Sequence, residues 1–185
     1  DEHRVEVVVA DDQFPLAIGR RGQNVRLVLD SAAVEAAVAW QGAVLCTIGA
    51  GAGRTTLRED ATRNIVQAMD RTGVQRLICQ SSLGVGDSRA NLGFFTKYVI
   101  VGLFLRPSFA DHERQEDVIK KSSLKWAIVR PPHLLDTPRT GVYRHGFQAT
   151  AGDIKGKISR ADVADFMLKQ LTDDSYVERT PGVSY

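Results

Sequence analysis

Val74–Ser82 reads VQRLICQSS and runs on as LGVGD over 83–87. Leu77, Ile78 and Cys79 form a short apolar run, with a helical pattern closed by Gly73 before it and a Ser/Gly loop after it. A run of that length between such boundaries is the pattern of a fully buried parallel strand. In open α/β sheets ligands sit at the carboxyl ends of the strands, which puts Ser81 and Ser82 where a small-molecule site would be.

Downstream, Leu83–Asp111 carries Phe94, Phe95, Tyr98, Phe104 and Phe109, a stretch suited either to a lid or interface element or to core packing. A helix over Glu113–Ser122 leads into a strand over Lys125–Arg130 (KWAIVR), stopped by Pro131-Pro132. Ser159 with Asp162 caps a last helix whose Val163, Phe166, Met167 and Leu171 face a core. Upstream, Asp30 or Ser31 caps an alanine-rich helix over Ala32–Trp40, ended by Gly42, and Ala43–Ile48 (AVLCTI) is a second buried strand. The run from Gly49 to Gly53 is G-A-G-A-G rather than G-x-G-x-x-G, so Gly49 is expected at the rim of a ligand site and not in a dinucleotide fingerprint. Thr56-Leu57-Arg58-Glu59 is a capping box, and Leu57, Ala61, Ile65 and Ala68 give the following helix its apolar face.

The totals bound the function. The 185 residues suit a single α/β domain over 1–185, and 43% hydrophobic with 25% charged residues is the balance of an ordinary globule. A net charge of +2 does not announce a nucleic-acid binder. Cys46 and Cys79 lie in apolar runs, which points to buried free thiols and a reducing, cytoplasmic setting. No stretch has the pattern of a signal peptide, and the apolar run Tyr98–Leu105 is far short of the roughly 20 residues that cross a bilayer, so no membrane is expected as a partner.

The first thirty residues have a different character. Val5, Val7, Val8 and Val9 make a β-branched strand, Asp12 caps a short helix over Gln13–Ile18, and Gly19-Arg20-Arg21-Gly22 precedes a second helix. Two glycines bracketing two residues between helices is the GXXG arrangement of KH domains, in which the backbone approaches a nucleic-acid strand. The longer string VVVADDQFPLAIGRRGQNVRL resembles a KH module of the bacterial transcription elongation factor NusA, over about Val5–Leu29. The resemblance implies single-stranded RNA contacts through Gly19, Arg20, Arg21, Gly22 and Arg26; a turn kept for packing is the competing reading.

From Asp30 onward a second resemblance takes over. The series DSAAVEAAV, AVLCTIGAG, DATRNIVQAM, GVQRLICQSSLGVGDS, HERQEDVIKKSSLKWAIVRPP and KISRADVADFML resembles atypical short-chain dehydrogenase/reductases of the NAD(P)-binding, NmrA-like kind. It implies a Rossmann-like parallel sheet, with Ser81, Ser82, Arg130 and Pro131 near the nicotinamide end of a cofactor. In that family the chain opens with a strand, a glycine-rich phosphate turn and a helix, and the NusA-like piece stands in their place. The usual Y-x-x-x-K pair falls, by the family register, on Ser108 and His112, leaving these two as weak catalytic candidates. His112 is the one that could work as a general acid or base near neutral pH.

Two family strings in one chain imply a chimera, artificial or recombined, with a KH-derived β-α-α segment replacing the first Rossmann half and with no evolved activity. Cofactor binding is then expected to be absent or weak, for want of a phosphate cradle. The rival readings are an NAD(P)H-dependent reductase or cofactor-binding sensor, and a nucleic-acid-binding module using the GRRG loop. No metal site is expected. Placing the first strand beside Ala43–Ile48 gives a sheet in chain order with all crossovers on one face. Val7, Val9, Leu45, Leu77 and Val129 would be left partly open on the other face, which predicts a homo-oligomer.

Overall fold

Strands with hydrophobic residues on both sides need cover on both sides, and the computed structural model provides it. The structure describes residues 6–8, 29–49, 55–91, 106–146 and 156–185. Four parallel strands form the central sheet: β1 (Glu6–Val8), β2 (Ala43–Cys46), β3 (Arg76–Gln80) and β4 (Lys125–Val129), in the spatial order β1-β2-β3-β4. The chain order expected from the sequence is therefore the observed one. The register aligns Val8 with Cys46, Cys46 with Cys79, and Cys79 with Ile128.

Alternation along each strand sends side chains to two cores. On one face Val44, Cys46, Leu77, Cys79, Trp126 and Ile128 pack against helices α1 (Ser31–Val38), α2 (Leu57–Thr72) and α3 (Arg106–Lys120). Both cysteines are free and buried there, as expected. On the other face Leu45, Ile78 and Val129 pack against Val163, Phe166 and Met167 of α4 (Arg160–Lys169), with Ile158 and Val183.

The expectation of an open face is corrected by that second core. Leu45 is 3% exposed and Val129 is fully buried, while Leu77 belongs to the opposite, helix-covered face. Short elements that the sequence pattern hid close it. β5 (His133–Leu135) pairs with β7 (Lys157–Ser159), and β6 (Arg144–His145) pairs with β8 (Val183–Ser184). The homo-oligomer expected from that face loses its ground there.

Helix ends show where local signals held and where distant residues prevailed. Asp30, rather than Ser31, caps α1, its Oδ1 accepting from the N–H groups of Ala32 and Ala33. Gly73 ends α2 in the left-handed conformation, φ +77°, as a C-terminal glycine should. The Thr56 capping box does not form. Thr56 Oγ1 donates to Asp60 instead, and the carboxylate of Asp111, on α3, accepts from the N–H groups of Arg58 and Glu59. A fully buried carboxylate at a helix N-terminus satisfies orphan donors and meets the positive end of the helix dipole. α3 also starts earlier than its apolar pattern indicates, with Pro107 in its first turn. Its buried face carries Asp111, Gln115 and Glu116, polar residues that conceal the period. Among the described residues no helix is long and apolar enough to cross a membrane.

Candidate functional site

The carboxyl ends of β3 and β4 are tied together beyond the strands themselves. Ser81 N–H donates to Val129 C=O at 2.8 Å, and Leu83 N–H to Pro131 C=O at 2.8 Å. Ser81, Ser82, Arg130 and Pro131 are thus adjacent, as the sequence reading expected. Ser81 is 3% exposed and its hydroxyl faces the Glu116 carboxylate, helping to hold it low, whereas Ser82 Oγ donates to Leu83 C=O. At the end of β2, Thr47 Oγ1 is buried without a partner, and Gly49 is half-buried two residues further on. A buried hydroxyl without a partner at the end of β2 fits a polar ligand there, because buried polar groups are ordinarily bonded.

Arg130 anchors the site. It is 2% exposed, donating from Nε to Glu116 Oε1 at 2.9 Å and from Nη2 to Glu116 Oε2 at 2.6 Å. Its Nη1 donates to Asp87 Oδ1 at 2.6 Å, and Lys120 Nζ adds a bond to Glu116 Oε2 at 2.8 Å. Burial alone would push the Glu116 carboxyl up, but the Arg130 guanidinium outweighs it and holds that carboxyl below its usual value. The turn that follows β3 comes close to this pair. Gly86 has φ +55°, and a Cβ there would sit 3.2 Å from Arg130 Nη2. Glu116 has no local signature in the sequence. The hint was a glutamate on the core side of α3, one residue after Gln115 and three before Ile119, which needs a cation for company.

His112 and Ser108 both lie on α3. Burial, with the nearby charge of Arg58, lowers the His112 imidazole to about 4. The expectation of a histidine titrating near neutrality is corrected: desolvation disfavours the imidazolium, so His112 is neutral. Ser108 is half-buried in the first turn of α3. The GRRG candidates Gly19, Arg20, Arg21 and Gly22, with Arg26, lie outside the described residues, as do Gly51 and Gly53 of the glycine run. Among the described residues no cluster of histidine, cysteine and carboxylate side chains could hold a metal ion.

A family model described as NAD(P)H-binding matches residues 3–174. This chain belongs to that NAD(P)H-binding family. The match spans the 5–29 segment that resembles a KH module, so neither the KH assignment nor the chimera reading finds support. The expectation of no cofactor, or a weak one, is overturned by the same match. Solved structures agree on the fold. A short-chain dehydrogenase/reductase from Veillonella parvula, in complex with NADP, superposes with a TM-score of 0.72 at 17% identity, over 99% of this chain and 82% of that one. ChuY from Escherichia coli O157:H7, described as an anaerobillin reductase, gives 0.67 at 22% identity, over 97% and 83%. The oxidoreductase YlbE from Lactococcus lactis gives 0.67 at 16% identity, over 83% of this chain and 66% of that one. The chain shares the Rossmann-like parallel-sheet fold of these structures.

Proposed function

We propose that this chain is an NAD(P)H-dependent reductase. The observation that carries the reading is the NAD(P)H-binding family match over residues 3–174. The chemistry at the strand ends supports it: leaving a buried hydroxyl unbonded costs about 1–3 kcal/mol, so the orphan oxygen of Thr47 favours a polar ligand beside it. The NADP complex of the Veillonella relative and the reductase description of ChuY support a nicotinamide cofactor used in reduction.

A bound nicotinamide would supply a hydride. Ser81 and Ser82 would hold its polar end by hydrogen bonds, and Gly49 would let the chain pass close to it. Arg130 keeps the two strand ends in place through Glu116. His112, held neutral, would not serve as an imidazolium acid.

Calorimetric titration with NADPH and with NADH tests the reading. Saturable binding of at least one is expected, and Ser81→Ala should weaken it about fivefold, the worth of one neutral hydrogen bond. Absence of heat with both cofactors would overturn it. Single-stranded RNA is the control for the GRRG loop.

A further inference from the structure

Residues 178–183 run beside β4 on its outer side. Arg179 C=O accepts from Ile128 N–H at 3.0 Å, and Pro181 C=O accepts from Arg130 N–H at 2.9 Å. Over this junction lies a cleft of about 650 Å³, walled by Asp87, Lys120, Trp126, Arg130, Tyr176 and Arg179 among others. That volume lies within the usual range for a small-molecule site.

The Arg130 guanidinium divides the cleft from the core. Its Nε and Nη2 are spent on Glu116, a side chain as buried as its own. Its Nη1 points the other way and meets one oxygen of Asp87, whose side chain is 76% exposed against 2% for Arg130. A guanidinium edge with two donors is built for a carboxylate taken bidentately, and Asp87 offers it a single bond. Gly86 leaves the approach unobstructed by any side chain of its own. Beside it Arg179 is exposed and forms no ion pair among the described residues, and Lys120 has two ammonium hydrogens beyond the one given to Glu116. Three cations therefore line the cleft against Asp87 and Glu178. The rings of Trp126 and Tyr176 offer apolar wall.

We infer that the outward edge of Arg130, with Arg179, is a binding site for a carboxylate-bearing ligand, and that Asp87 occupies it as a displaceable internal carboxylate. An entering carboxylate takes the place of Asp87 on Nη1. Asp87 turns out to solvent by side-chain rotation, while its turn stays fixed by Gly84 N–H donating to Ser88 Oγ and Ser88 Oγ donating to Val85 C=O. The site accounts for a buried cation with two of its five donor hydrogens to spare. It shares Arg130 with the strand-end site, but Asp87 and Arg179 belong to the cleft alone.

Calorimetric titration with phthalate, and with phthalamide as its neutral analogue, at fixed ionic strength tests this. Phthalate should bind and phthalamide should not. Asp87→Asn should tighten phthalate about two- to fivefold and Arg179→Gln should weaken it by a similar factor, the range measured for exposed charge pairs. Both positions are exposed, so circular dichroism should report an unchanged fold. Asp70→Asn removes the same charge outside the cleft and should leave the affinity unchanged. Equal affinities for phthalate and phthalamide, or phthalate affinity indifferent to both Asp87→Asn and Arg179→Gln, would overturn the inference. NADPH titration of the same preparations reads the reductase proposal separately, since either can fail without the other.

Discussion

Arg130 and Glu116 are joined by two parallel charge-assisted bonds of 2.9 and 2.6 Å, and each side chain is only 2% exposed. The pair links the end of β4 to the middle of α3, so it fixes the sheet end against the helix that carries Ser108 and His112. Breaking such a pair strands one buried charge. Glu116→Gln should therefore cost about 3–5 kcal/mol in urea unfolding. The double change Glu116→Leu with Arg130→Met should recover most of that loss. A double variant as unstable as the single one would mean that the pair is not what is lost.

His112 gives the stability a pH dependence whose sign follows from its environment. Its value of about 4 lies below the ordinary 6.5, so between those limits the unfolded chain binds the proton and the folded chain does not. Stability is complete above about pH 6.5 and should fall as the pH drops towards 4. Glu116, held low by Arg130, adds its own loss at more acid pH, below the ordinary carboxylate value. His112→Asn should flatten the upper part of the profile in denaturant midpoints measured from pH 7 to pH 4. An unchanged slope would show that His112 is not desolvated.

Asp162 gathers the far face. Its carboxylate accepts from Thr140 N–H at 2.9 Å, Gly141 N–H at 2.8 Å, Thr140 Oγ1 at 2.8 Å, Ser159 Oγ at 2.9 Å and Tyr185 OH at 2.6 Å. These donors hold the carboxyl well below its usual range, outweighing the burial that would raise it. Asp162→Asn sets an amide among donors and should cost about 3 kcal/mol, whereas Tyr185→Phe, which removes one bond, should cost about 1 kcal/mol. Thermal melts of the two variants should keep that order.

Gly146 has φ +78°, and a Cβ there would collide with the Tyr176 hydroxyl and ring. The ring packs against Phe166 and its hydroxyl is 2.9 Å from His145 Nδ1, so it has little room to yield. Gly146→Ala should lower stability by about 2 kcal/mol or more, from the left-handed backbone and the contact together. A melting temperature equal to the parent would show that the region around the β6–β8 pair gives way freely.

The sequence alone determined the elements whose chemistry is local. Leu77-Ile78-Cys79 and Trp126-Ala127-Ile128-Val129 are strands because unbroken apolar runs between turn signals have no other economical placement. Asp30, Gly73 and the Ser159–Asp162 box mark helix ends because the orphan backbone groups there are met within a few residues. The order β1-β2-β3-β4 and the adjacency of Ser81 with Arg130 followed from those strands and right-handed crossovers. Only the tertiary structure decided the rest. Asp111 caps a helix more than fifty residues earlier in the chain, Glu116 meets Arg130 fourteen residues later, and Tyr185 closes on Asp162. Short strands at 133–135, 157–159 and 183–184 cover the sheet face that the linear pattern left bare. None of these has a period or a local motif, because each exists to satisfy a group brought near by folding: a buried charge, an orphan donor or an apolar face acquires its partner in space.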